Sequence, residues 1–224
     1  MPRTIAEETV EQLGGRDSVL ARQRRDHAEM DRLMNAYDIA DGGEERERLL
    51  KDLVQLVFSH AFAEETVLWP AVRRSVVDGE ELTSRVEGEH QQINDLVADI
   101  EHAPGQPERE RKVQQVFALI REDIRDEEDL LLPRLQESVD TAQLRRLGTL
   151  WETVRLSAPT HPHPVIPRRP PGNAVLGVPL SVYDRTRDAF GPGRSTATAK
   201  KLVGGLVGLL VSAATAAALR GRRH

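Results

Sequence analysis

Residues 60–70 read His-Ala-Phe-Ala-Glu-Glu-Thr-Val-Leu-Trp-Pro, and residues 123–133 read Asp-Ile-Arg-Asp-Glu-Glu-Asp-Leu-Leu-Leu-Pro. The second stretch repeats the first at an offset of 63 residues: Glu64-Glu65 maps to Glu127-Glu128, Leu68 to Leu131, Pro70 to Pro133 and His60 to Asp123. The correspondence continues outward without a gap. Val57 pairs with Ile120, Leu53 with Val116, Leu33 with Leu96, Met30 with Ile93 and His27 with His90. The body of the chain is therefore two copies of one helical hairpin. Packed with pseudo-twofold symmetry, two such hairpins bring equivalent positions together at the centre.

Apolar residues at three- and four-residue spacing predict helices through both copies, as in Val86, Ile93, Val97 and Ile100, or Val113, Val116, Ile120, Ile124 and Leu131. The first helix is expected from Ser18 to Ala40, stopped by Gly42-Gly43, and the second from Glu44 to Arg74. A third runs from Asp78 to just before Pro104, a fourth from Pro107 to Ser138, and a shorter fifth follows Asp140 as N-cap and ends near Leu156. The expected fold is all-α: an up-down-up-down four-helix bundle of two repeated hairpins, a short fifth helix and a separate C-terminal apolar helix.

Composition narrows the chemistry. The 224 residues include no cysteine, which excludes disulfides, zinc–thiolate sites, iron–sulfur clusters and thiol catalysis. Any metal must be held by imidazole nitrogen and carboxylate oxygen. Residues 158–224 carry ten Lys and Arg against two acids, so the net charge of −5 leaves −13 on residues 1–157. An acidic body of this kind is not expected to bind nucleic acid.

Four segments follow. Residues 1–15 are expected as a flexible lead-in, 16–156 as the bundle, 157–199 as a Pro-rich basic linker or strap, and 200–224 as an apolar helix. Residues 202–219 hold no charge and are flanked by Lys200-Lys201 and by Arg220, Arg222 and Arg223. As a helix they would span roughly 27 Å, just short of a bilayer's hydrocarbon core. A membrane anchor is one reading; an apolar helix that self-associates or packs on the bundle is the other. The N-terminus shows neither a basic start nor an apolar run, so the expected location is cytoplasmic, with attachment to the inner face of the membrane if the anchor holds.

The body contains only four histidines, His27, His60, His90 and His102, and three fall on repeat-equivalent positions. His60 and Glu64, and likewise Asp123 and Glu127, are spaced four apart, which places each pair on one helix face. That face is the apolar, inward one. Burying imidazoles and carboxylates there is costly by desolvation, and a metal cation is the natural compensation. With nitrogen and oxygen ligands only, iron or manganese fits, and zinc competes. Glu65 and Glu128 point off the stripe and read as surface residues or as groups that orient ligand histidines. Asp31 reads as a surface residue, His102 as a solvated helix-end group, and Trp69 and Trp151 as core aromatics. His161 and His163 alternate with prolines in the linker.

These residues resemble the hemerythrin-like (HHE cation-binding) family over roughly residues 16–156. The matching text is Asp26-His27, His60 through Pro70 with its paired glutamates, Glu89-His90, and Glu127 through Pro133. The resemblance implies a four-helix bundle with a non-haem di-iron site between the helices and chemistry with dioxygen, peroxide or nitric oxide. It assigns His27, His60, Glu64, His90 and Glu127 as ligands, with the two glutamates as bridges, and places Asp123 where the family's second half carries histidine. Oxygen-carrying members also have a histidine where this chain has Asn94.

The expected metal set is thus His27, His60, Glu64, His90, Asp123 and Glu127. Such a carboxylate-rich set favours Fe(III), so redox turnover, sensing or iron handling is expected ahead of reversible dioxygen carriage. Asp123 reaches less far than histidine, which leaves one ion or two open. No substrate pocket or nucleophile–base pair is legible, so no enzymatic reaction is assigned. The alternatives are a metal-poor scaffold tethered by its C-terminal helix, and an iron-buffering or ferroxidase protein using the same site.

Overall fold

The computed structural model describes residues 4–158, which form helices and turns with no strand among them. The linker beyond residue 158, His161, His163 and the apolar run 202–219 lie outside the described residues. Among those described, no helix is long and apolar enough to cross a membrane.

Helix α1 (Val19–Ile39) begins at Ser18, whose side chain accepts the Leu20 N–H. It ends before a turn in which Gly42 and Gly43 take φ values of 101° and 66°, a region closed to most side chains. Helix α2 (Glu44–Ala63) returns antiparallel. At Glu64–Leu68 the helix widens into a π turn before α3 (Trp69–Ser75) resumes the α geometry. The second hairpin repeats this plan. Helix α4 (Gly79–Glu101) and α5 (Gln106–Asp126) are followed by a π turn at Glu127–Leu131 and then by α6 (Leu132–Ser138). Helix α7 (Thr141–Ser157), capped by Asp140 onto the Gln143 N–H, packs against α1, α2 and the first π turn.

The two helices expected to run unbroken through Pro70 and Pro133 are thus each interrupted at the same repeat position. A proline inside an α-helix lacks an N–H and clashes with the carbonyl four residues back. Here each proline follows a π turn by two residues, and the wider turn accommodates it.

Two apolar clusters divide the bundle. One gathers Leu20, Ala63, Val67, Val86 and Leu131 with Trp69, Trp151 and Leu144. The other gathers Met30, Val57, Ile93 and Ile120 with Phe117 and Tyr37. On every main helix the change of cluster falls at the predicted site residue: His27 lies between Leu20 and Met30, His60 between Val57 and Ala63, and His90 between Val86 and Ile93. Asp123 and Glu127 lie between Ile120 and Leu131. The polar residues form a buried layer between two cores.

The lead-in differs from expectation. Residues 4–17 pack against the bundle rather than hanging free. Ile5 and Leu13 are fully buried in the first cluster, and the Ile5 N–H donates to the Glu128 carbonyl at 3.0 Å. Gln136 donates to Glu8 Oε2 at 2.7 Å and Arg145 Nε to the Gly14 carbonyl at 2.8 Å. The reason is local chemistry: Pro133 has no N–H to offer the π-turn carbonyl, and the lead-in supplies one.

Candidate metal centre

All six predicted residues meet in the buried layer. His27, His60, Glu64 and Glu127 form one group and His90, Asp123 and Glu127 a second, with the ligand atoms in each within 4.8 Å of one another. The His27 and His60 Nε2 atoms face each other at 3.2 Å. Glu64 turns Oε1 to His60 Nε2 at 3.0 Å and Oε2 to His90 Nε2 at 3.5 Å. Glu127 turns Oε2 to His27 Nε2 at 3.2 Å and Oε1 to His90 Nε2 at 4.0 Å. Asp123 Oδ1 is 3.7 Å from His90 Nε2. Each glutamate therefore offers one oxygen to either group.

The outer faces of the imidazoles are held by a second set of carboxylates. His27 Nδ1 bonds Glu128 Oε1 at 2.7 Å, and His90 Nδ1 bonds Glu65 Oε1 at 3.0 Å. His60 Nδ1 lies 3.6 Å from Asp26 Oδ2, and Arg155 of α7 lies 3.5 Å from the same oxygen. Of the two readings for Glu65 and Glu128, the structure shows the orienting one: both are buried, and the π turns carry consecutive glutamates to the site. Asp26 was missed as a site residue, although it directly precedes His27 and matches Glu89 by the repeat. Two tryptophans wall the layer: Trp151 meets His60 edge-on at 5.4 Å, and Trp69 stacks by His90 at 6.4 Å. Asp31 is exposed and pairs with Arg121 at 3.2 Å, and His102 sits at the end of α4 with Nδ1 2.8 Å from the Ala98 carbonyl.

The electrostatics are those of a site short of positive charge. Burial alone would depress the histidines. The nearby carboxylates of Glu127 and Glu128, the second hydrogen-bonded to Nδ1, nevertheless raise His27 to about 10. The adjacent carboxylates of Glu64 and Asp26 raise His60 to about 9 in the same way. Asp123, Glu65 and Glu64 raise His90 to about 10. Burial, Glu127 and Glu64 push Asp123 well up against the opposing pull of His90, and burial with Glu64 pushes Glu127 up. Glu64 is held below its ordinary value, because the three imidazoles outweigh its burial.

Both oxygens of Glu64, both of Glu127 and Oδ1 of Asp123 are buried without a hydrogen-bond partner. Five orphaned carboxylate oxygens around three converging Nε2 atoms are what a cation would satisfy, since buried polar groups otherwise find partners. The donor set fits a metal.

A bundle whose four main helices each contribute inward histidine or carboxylate is a metal-binding helical bundle. The hemerythrin HHE cation binding domain matches residues 18–135, and the chain belongs to that family. It is also similar to an uncharacterized hemerythrin-like protein of Schizosaccharomyces pombe, 23% identical over 156 residues that cover 69% of this chain and 74% of the relative. No solved structure matches.

Proposed function

We propose that the chain is a non-haem di-iron protein that binds, senses or reacts with dioxygen, peroxide or nitric oxide. The observation that carries this reading is the sharing of carboxylates. Glu127 belongs to both ligand groups, and Glu64 presents an oxygen to His60 and to His90. Two ions would be held there, one by His27 and His60, the other by His90 and Asp123, with Glu64 and Glu127 placed to serve both. A nitrogen-and-oxygen set rich in carboxylate supports iron or manganese over softer metals.

When bound, iron would supply the electron transfer that small diatomic ligands or peroxide require. The chain's own residues do the rest. Glu128 and Glu65 take the Nδ1–H of His27 and His90 and so fix the tautomer that leaves each Nε2 lone pair facing inward, while the Asp26 carboxylate faces His60 Nδ1 at 3.6 Å. The apolar clusters flank the layer above and below and keep its carboxylates and imidazoles in surroundings of low polarity.

The test is metal content of protein purified without air from iron-supplied cells. About two irons per chain are expected, as in other bundles with dinuclear carboxylate sites, and Glu64→Ala should lose both. Full iron retention in that variant, or a wild-type protein holding only zinc or nothing, would overturn the proposal.

A further inference from the structure

Outside the buried layer, the lead-in, α1 and α5 enclose an open cleft of about 790 Å³ whose floor is the His27–Glu128 pair. The volume falls in the range of small-molecule sites, roughly 300–1,000 Å³. Its charge is opposite to that of the body around it. Arg16, Arg24, Arg25, Arg121 and Arg125 line it, against the carboxylates of Asp31 and Glu128. Asp31 is engaged by Arg121 and Glu128 by His27. Arg25 turns to Asp26 and Glu152, and Arg24 to the Glu8 backbone carbonyl. Arg16 and Arg125 are left exposed, with no acidic partner among the described residues. Between these cations the walls are apolar, from Val10 of the lead-in, Ala28 of α1 and Ile124 of α5.

We propose that this cleft binds a small organic acid: a carboxylate head held by Arg16 and Arg125, and a short aliphatic body laid along Val10, Ala28 and Ile124. A guanidinium matches a carboxylate through two parallel hydrogen bonds, and free guanidinium groups beside an apolar wall select an amphipathic anion over a bare one. The basic segment 158–224 has the wrong charge to be the occupant. The site is independent of which ion occupies the buried layer. The bound acid would lie over Glu128, the residue that orients His27.

The probe is octanoate, measured by equilibrium dialysis and calorimetry on the full chain, with and without added Fe(II). Arg16→Glu and Arg125→Glu should each weaken binding by about ten-fold or more, the expected size for loss of a charge-assisted hydrogen bond. Ala28→Trp should fill the cleft and abolish binding. Arg48→Glu, on the far exposed surface of α2, should leave it unchanged. Circular dichroism melts confirm that each variant is folded, since all the altered side chains are exposed. Failure of octanoate to bind would overturn the proposal. So would equal binding of acetate or inorganic phosphate, because the apolar wall would then be unused. Retention of octanoate by Ala28→Trp would place the ligand elsewhere, on the buried layer or the apolar run 202–219, and would equally refute the cleft.

Discussion

Glu128 shows how much one carboxylate can carry. Its side chain holds His27 Nδ1 at 2.7 Å while its backbone carbonyl takes the Ile5 N–H at 3.0 Å. Replacing it with glutamine keeps the shape and removes the charge. Glu128→Gln is therefore expected to lower metal affinity by about 10–100-fold, the usual effect of losing a partner of a ligand histidine. The fold should persist, because the backbone bond to Ile5 does not depend on the side chain. Metal-competition titration with unchanged circular dichroism is the check; wild-type affinity would mean that Glu128 does not orient His27. The same scale explains what sequence reading found and missed. His27, His60 and His90 are scarce residues on an apolar stripe, so they were conspicuous. Asp26, Glu65 and Glu128 are three of 36 acids; Glu65 and Glu128 read equally as surface charge or as orienting groups and Asp26 as neither, and only geometry shows that each points at an Nδ1.

At the scale of elements, α7 approaches the start of α1 so closely that position 148 has no room for a side chain. A Cβ added at Gly148 would meet the Asp17 carbonyl at 2.0 Å and the Val19 nitrogen at 2.8 Å, and neither backbone atom can turn aside. Gly148→Ala is expected to push α7 off its seat and to cost about 2–3 kcal/mol, near the upper range for overpacking. Trp151, which covers His60, moves with that helix, so urea melts and tryptophan emission should both shift. An unchanged midpoint would show that α7 is not held there. The helices themselves were legible, since apolar spacing and the Gly42-Gly43 and Pro104-Gly105 breaks mark them. The π turns were not. Periodicity alone carries the helix straight through Pro70 and Pro133, and only the steric demand of a mid-helix proline hints at the widening. The packing of residues 4–17 was hidden for a related reason: Ile5 and Leu13 are isolated apolar residues without a period, and their partners are created by the fold.

At the scale of the whole molecule, the buried layer couples protonation to stability. In the metal-free chain the three histidines titrate at about 9 to 10, above the 6.5 of a free imidazole. Their native state holds protons more tightly than the unfolded chain does. Their stabilising contribution is thus complete below about pH 6.5 and is lost as pH rises through 9 to 10. Asp123 and Glu127, also raised, act in the same direction from the ordinary carboxylate range upward. The metal-free melting temperature should therefore fall between pH 7 and pH 10. A metal ion replaces those protons, so metal uptake should release protons and tighten as pH rises. Differential scanning calorimetry with and without Fe(II), anaerobically, tests both; a metal-free melting temperature that rises over this range would contradict the assignment of the layer as a proton-filled ligand set.

The crosswise bonding of the repeat has one more consequence. Glu128, of the second hairpin, aims His27 of the first, and Glu65, of the first, aims His90 of the second. Neither hairpin can orient the histidine of its own leading helix, His27 or His90. This is the reciprocity of a symmetric dimer, here joined through the short turn at residues 76–78. Joining them replaces an association equilibrium with an intramolecular one, at an effective concentration on the order of millimolar or higher. The centre is therefore preassembled in every folded molecule, however dilute the protein.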